Sequence, residues 1–288
     1  MSAEPLVSVV VPTYQSAAFV ERTLDSILGQ TYRNLEIVIA DHGSTDDTWE
    51  KLHPYGADPR VQILRTEPGG GAERNWNRVI DQATGPLVKL VCADDLLHPE
   101  CTAWQVTVME QHPGVVLVAG KRDLIDASGQ VLIRGRGLPG LSGRMRGADA
   151  IRATVRAGTN VFGEPACVLM RTDVVRKVGG WSAEQPYLID EDLYVRVLQH
   201  GDFFGISRPV AAFRVSESQW SVHLARKQAG QAVAFHRRLQ SDHPGLLSTS
   251  DVRIGSLRAI GIAYARRFAY LLWSRRMRRA PAESSSAS

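Results

Sequence analysis

The chain has 288 residues, 44% of them hydrophobic and 22% charged, enough for one large domain or two closely joined halves with a substantial core and no need of cross-links. Its three cysteines, Cys92, Cys101 and Cys167, form no CxxC pair and lie in or beside apolar runs, which argues against a disulfide framework and for reduced core residues of a cytosolic protein. The net charge of +4 is unevenly placed, with +6 on residues 251–288 and −2 on the remainder, and no nucleic-acid reader fold accompanies that basic tail.

Val7 to Pro12 is a short apolar strand stopped by proline, too short and lacking the positive charge of a signal peptide. Ala17 to Gln30 places Phe19, Val20, Leu24, Ile27 and Leu28 at helical spacing, and Leu35 to Ala40 is a second strand. The pattern repeats. Thr45-Asp46-Asp47 caps a short helix through Leu52, Val61 to Arg65 is a strand, Ala72 to Ala83 a helix, and Leu87 to Val91 a strand. Strand-helix alternation with short loops predicts a mostly parallel sheet covered by helices on both faces.

The last of these strands runs into Cys92-Ala93-Asp94-Asp95, before His98-Pro99 opens the next helix. Ligands of open α/β sheets collect beyond the carboxyl ends of strands, and two adjacent carboxylates there suit Mg²⁺ or Mn²⁺ carrying substrate phosphates. A turn with a helix start is the structural alternative. Three other loops fall on the same sheet edge: 12–16, 41–47 and 67–74. Asp41 to Asp47 is dense in short polar groups able to bond a base and ribose, or to cap a helix. Pro68 to Gly71 precedes Arg74 at a helix start, where backbone N–H groups and a guanidinium could face phosphate. The turn after the first strand has no glycine, which excludes a dinucleotide fingerprint, and no Walker-type loop is present.

Past Pro99 the pattern predicts a helix to about His112 and a strand at Val115 to Ala119. A Gly- and Arg-rich stretch, 128–147, carries no motif, and its charges read as solvated. Ala166 to Met170 is a buried strand, and Thr172 caps a short helix ending at Gly179-Gly180. Asp190-Glu191-Asp192 heads a helix with Leu193, Val195, Val197 and Leu198. Helix starts favour carboxylates, but three in succession leave one free to act as a base toward a hydroxyl.

In this order the motifs Val7-Ser-Val-Val-Val-Pro-Thr-Tyr14, Ile39 to Thr48, Gly71 to Asn75, Ala93-Asp-Asp95 and Asp190 to Arg196 resemble the family 2 glycosyltransferases, inverting enzymes of the GT-A fold. The resemblance spans roughly residues 7–215. It implies an α/β fold of GT-A type, a mostly parallel nucleotide-binding sheet flanked by helices, with a C-terminal helical extension. It implies further that Pro12, Thr13 and Tyr14 line the nucleotide, that Asp41 bonds the base of a UDP- or dTDP-sugar, and that Arg74 lies near the diphosphate. Asp94 would then contact ribose or sugar, Asp95 would hold Mg²⁺ or Mn²⁺, and Asp190, with Glu191 as alternative, would be the catalytic base. His223 is a further metal candidate by likeness to related folds. Two positions depart from the family's habit: His42 stands where an acid is common, and so does Cys92.

The implied activity is transfer of a sugar from a nucleotide-diphosphate sugar to an acceptor hydroxyl, the acceptor a glycan or lipid-linked, in cell-surface polysaccharide or glycolipid synthesis. A catalytically silent nucleotide-sugar-binding protein and a sugar nucleotidyltransferase are the rivals; the second would want a Gly-rich basic loop after the first strand. The boundaries expected are 1–98 for the nucleotide-sugar half, 99–218 for the acceptor half of the same domain, 219–279 for a helical segment and 280–288 for a disordered tail. From Val252 a helical run with Leu257, Ile260, Tyr264, Phe268 and Trp273, interrupted and closed by arginines, is too broken to span a bilayer but suits an anionic membrane surface. A cytoplasmic protein peripheral to the inner face of the membrane is the expected location.

Overall fold

The computed structural model describes residues 4–215 and 228–277, with side chains through residue 265. A ten-stranded mixed sheet organises it. Its first half alternates β1 (Val7–Thr13), α1 (Val20–Leu28), β2 (Leu35–Asp41), α2 (Thr48–Leu52), β3 (Val61–Arg65), α3 (Gly71–Gln82) and β4 (Leu87–Leu90). The four strands lie in the order β3-β2-β1-β4, all parallel, and β1 and β4 are wholly buried, which is why they read as mainly apolar runs without polar alternation, Ser8 and Lys89 being buried within them.

The parallel pairs of the sheet lie in this half and in one later pair. After β5 (Leu96–Leu97) and α4 (Cys101–Gln111) come β6 (Val115–Ile125), β7 (Val131–Arg136), β8 (Gly143–Met145), α5 (Gly147–Ala157), β9 (Val168–Arg171), α6 (Thr172–Lys177), α7 (Ile189–Leu198) and β10 (Asp202–Arg214). β9 enters antiparallel between β4 and β6, whereas β6 and β10 pair parallel. β5, β7 and β8 add antiparallel edges. Two further helices follow among the described residues, α8 (Gln228–Asp242) and α9 (Thr249–Met277). None of the described helices is long and apolar enough to cross a membrane.

Local chemistry differs from expectation in instructive ways. Within Thr45-Asp46-Asp47 it is Asp46 whose side chain takes the start of α2: its Oδ1 accepts from the Thr48 amide at 3.1 Å and hydroxyl at 2.5 Å, and its Oδ2 accepts from the Ala17 amide. Thr172 donates its hydroxyl to the Gly85 carbonyl at 2.6 Å and so ties α6 to the root of β4 instead of capping a helix. The motif-poor stretch after Ile125 contains β7, β8 and the start of α5.

Candidate active site

The carboxyl ends of β1, β2 and β4 define one edge of the sheet. Asn75, on the first turns of α3 and 3% exposed, holds two of them together by donating to the Thr13 carbonyl at 3.3 Å and the Ala40 carbonyl at 3.0 Å. Of the residues expected to line a nucleotide, Pro12 and Thr13 are buried and Tyr14 is 59% exposed. Asp41 is fully buried and already engaged: the Ser44 hydroxyl donates to its Oδ1 at 2.5 Å and the Ser44 amide to its Oδ2 at 3.1 Å, with the Thr13 hydroxyl at 3.3 Å. Its neighbour His42 is 8% exposed, lies edge-on to Tyr14, and has no hydrogen-bond partner on either ring nitrogen among the described residues. Gly69, Gly70 and Gly71 all have positive φ, and at Gly70 a Cβ would stand 2.9 Å from that of Arg74, so the loop must be glycine for α3 to start there. Arg74 is exposed on that first turn.

Past β4, Asp94 is half-buried and Asp95 wholly buried. Arg214, the last residue of β10, lies across them. Its amide donates to Asp95 Oδ1 at 3.2 Å, its Nε to the Asp94 carbonyl at 2.9 Å, and its Nη1 to the carbonyls of Asp126 and Ala127. The guanidinium also covers the Phe19 ring at 4.5 Å. Asp95 Oδ2 is buried with no hydrogen-bond partner among the described residues, and burial, then Asp94 and Glu164, push its carboxyl well above the usual range.

Glu164 was not visible as a site residue in the sequence. A single 3₁₀ turn, Pro165–Cys167, presents it, and that turn is pinned by two buried side chains. Lys89 of β4 donates Nζ to the carbonyls of Ala166 and Val168 at 2.8 and 3.0 Å, and Gln105 of α4 donates to the Cys167 carbonyl at 2.7 Å. Arg122 of β6, 6% exposed, pairs with Glu164.

The acidic triplet at the head of α7 is resolved by its partners. Asp192 is bound to Arg196 at 2.8 Å and Arg238 at 2.7 Å. Glu191, 2% exposed, accepts from the Thr154 hydroxyl at 2.8 Å, pointing into α5. Asp190 is half-buried, accepts from Asn160 Nδ2 at 3.1 Å and the Glu191 amide at 2.9 Å, and has its pKa raised to about 7 by burial and then by Glu164. The start of α7 is carried to the sheet edge by the loop before it. Asn77 of α3 brackets Trp181, donating to its carbonyl at 2.9 Å and accepting from its amide at 2.8 Å, while Arg196 holds the carbonyls of Val178 and Gly180.

Four carboxylates, Asp94, Asp95, Glu164 and Asp190, thus meet two buried guanidiniums, Arg122 and Arg214, beside the half-buried thiol of Cys92. No cluster of three His, Cys, Asp or Glu side chains fit to hold a metal occurs among the described residues. The unpartnered Asp95 oxygen and the all-oxygen donor set fit a hard cation that takes its remaining ligands from substrate phosphates and water, as Mg²⁺-type sites do. His223 lies outside the described residues.

The curled mixed sheet with flanking helices, and acids gathered at its carboxyl edge, define the GT-A class of fold. Staphylococcus aureus TarS 1–349 in complex with UDP-GlcNAc superposes with a TM-score of 0.68 at 17% identity, over 92% of this chain and 75% of that one. The mannosyltransferase PcManGT of Pyrobaculum calidifontis, in complex with GDP-Man and Mn²⁺, gives 0.65 at 18% identity over 94% and 76%. The profile of glycosyl transferase family 2 matches residues 8–179, and the chain belongs to that family. An uncharacterized protein of Mycobacterium tuberculosis is 31% identical over 204 residues, 68% of this chain; the chain spans 63% of that relative's length.

Proposed function

We propose that this glycosyltransferase moves a sugar from a UDP- or dTDP-sugar to an acceptor hydroxyl with inversion, using Asp190 as base, in synthesis of a cell-surface polysaccharide or glycolipid. The observation that carries the reading is Asp190 itself. Of three consecutive acids it alone is half-buried rather than buried, it acts on the same Cys92 thiol as Asp94, Asp95 and Glu164, and its pKa of about 7 is where a base both exists ionised and still draws a proton. The acceptor oxygen attacks the anomeric carbon, the bond to the diphosphate breaks, and the hydroxyl proton passes to Asp190. One displacement inverts the configuration.

Arg74, exposed at the head of α3, faces the diphosphate together with the free N–H groups of that helix start. In this reading Asp94 and Asp95 carry the metal together: Asp94 is half-buried, and Asp95 Oδ2 has no hydrogen-bond partner among the described residues. Held there, Mg²⁺ or Mn²⁺ supplies neutralisation of the charge that builds on the leaving diphosphate. Asp41 acts by fixing the loop through Ser44, and His42, with its two unpartnered nitrogens beside Tyr14, is the polar group left to meet a base. The donor in the TarS complex supports a uridine nucleotide; that in the archaeal complex carries guanosine and Mn²⁺. The halves 1–98 and 99–218 serve donor and acceptor in turn, and the acceptor is a glycan or lipid-linked, met at the cytoplasmic face of a membrane.

Nucleotide release from UDP-, dTDP- and GDP-sugars with Mn²⁺ tests this. Asp190→Asn should lower turnover about 10²–10⁴-fold with donor binding kept, whereas Asp94→Ala should weaken donor binding and its dependence on metal. Equal release by wild type and Asp190→Asn, or a product of retained configuration, would overturn it.

A further inference from the structure

Five large apolar side chains are strongly exposed among the described residues, and three of them, Leu257 (71%), Ile260 (41%) and Tyr264 (67%), lie on α9. Spacings of three and four put them in one stripe along the helix, with exposed Arg253 at its start. The opposite side is the packed one. Val252, Gly255, Ala259 and Ala263 are buried, and the fit is close enough that a Cβ at Gly255 would stand 2.0 Å from the Val155 carbonyl oxygen of α5. α9 is therefore not a helix loosely laid on the body with its apolar face inward. It buries small residues and turns large ones outward.

Charge says what covers that stripe. Arg253 and Arg258 are exposed beside it, α9 continues to Met277, and the chain from residue 251 on carries +6 against −2 for the rest. A second copy of the chain would set like charge against like, and a nucleic acid would leave leucine and isoleucine unburied. A surface with acyl chains beneath anionic headgroups satisfies both features. We propose that α9 docks the enzyme on an anionic lipid bilayer, its Leu257-Ile260-Tyr264 stripe entering the headgroup region and its arginines meeting the lipid phosphates. This stands apart from the sugar-transfer reading, since none of the residues involved touches the carboxylate cluster.

Sedimentation of the full chain with vesicles of phosphatidylcholine, with and without phosphatidylglycerol, tests the proposal. Wild type should co-sediment with the anionic vesicles, less so at high salt, and poorly with the neutral ones. The triple substitution Leu257→Ser, Ile260→Ser, Tyr264→Ser, on exposed positions, should partition about tenfold less while keeping its circular dichroism and its nucleotide release. A second variant, Arg253→Glu, should lose the preference for anionic lipid with the stripe intact. Equal sedimentation of wild type and triple variant would overturn the proposal. So would light scattering that shows a wild-type dimer broken by the triple substitution with no binding to vesicles.

Discussion

Asp190 has its proton affinity set by position, since the same residue type two places on, Asp192, is neutralised by Arg196 and Arg238. Burial and the Glu164 charge hold the Asp190 pKa at about 7, above its ordinary value. Below that pH the carboxyl is largely protonated, so with Asp190 as the proposed base turnover should rise with pH through about 7 and then level off. Glu164→Gln removes a charge that raises the pKa and should move the rising limb to lower pH; a pH–rate profile with an unmoved limb would show that Glu164 does not act on the base. The sequence displayed the triplet but not the choice within it, because the choice rests on Thr154, Asn160 and Arg238, which lie on other elements. Glu164 was illegible for a related reason: a lone Glu before a proline has no pattern, and its significance comes from Lys89 and Gln105 holding the turn behind it.

At the scale of elements, what matters is how α7 reaches an edge built by β1, β2 and β4. Asn77 on α3 is the hinge pin, exchanging two backbone hydrogen bonds with Trp181 while Trp76 packs edge-on against the Trp181 ring at 4.8 Å. Asn77→Ala should cost about 1–3 kcal/mol of stability, read as a fall of a few degrees in Tm, and should lower turnover more than donor binding because it loosens the proposed base and not the loops proposed for the nucleotide. Unchanged turnover would place the Trp181 loop outside catalysis. The β1 to β4 half was readable because short apolar strand runs alternate there with segments of helical spacing. β10 was not: Pro209 falls where its pairing with β6 slips register, and alternation is lost there. α5 was hidden for want of a start signal, since it opens on Gly147 behind a Gly- and Arg-rich stretch.

For the molecule as a whole, α9 is bound to the body by a charge as well as by small residues. Asp251 closes a reciprocal cap with Ser248, whose hydroxyl donates to Oδ2 at 2.7 Å and accepts from the Asp251 amide at 3.1 Å, and it accepts from Arg156 of α5 at 2.6 Å. Burial alone would raise its pKa, but these partners outweigh it and bring it down to about 2. A carboxylate depressed in the folded state stabilises above its unfolded pKa and loses that contribution as pH falls toward about 2. Asp251→Asn should therefore remove about 1–3 kcal/mol at neutral pH and flatten the acid limb of a stability–pH curve; a variant with the wild-type acid limb would refute the assignment.

The seam between β4 and β9 is only two pairs long, Leu87 with Arg171 and Val88 with Met170. One residue further, where a third pair would form, the Lys89 ammonium bridges to the Ala166 and Val168 carbonyls in place of a strand amide. Strand pairing between β4 and β9 ends at that point, with Asp94 further along the chain on one side and Glu164 just before β9 on the other. On the proposed reading the reaction centre thus lies beyond a seam of the framework itself, so exchanging loops 12–16, 41–47 and 67–74 between relatives should alter which sugar nucleotide enters while leaving the place of reaction where it is.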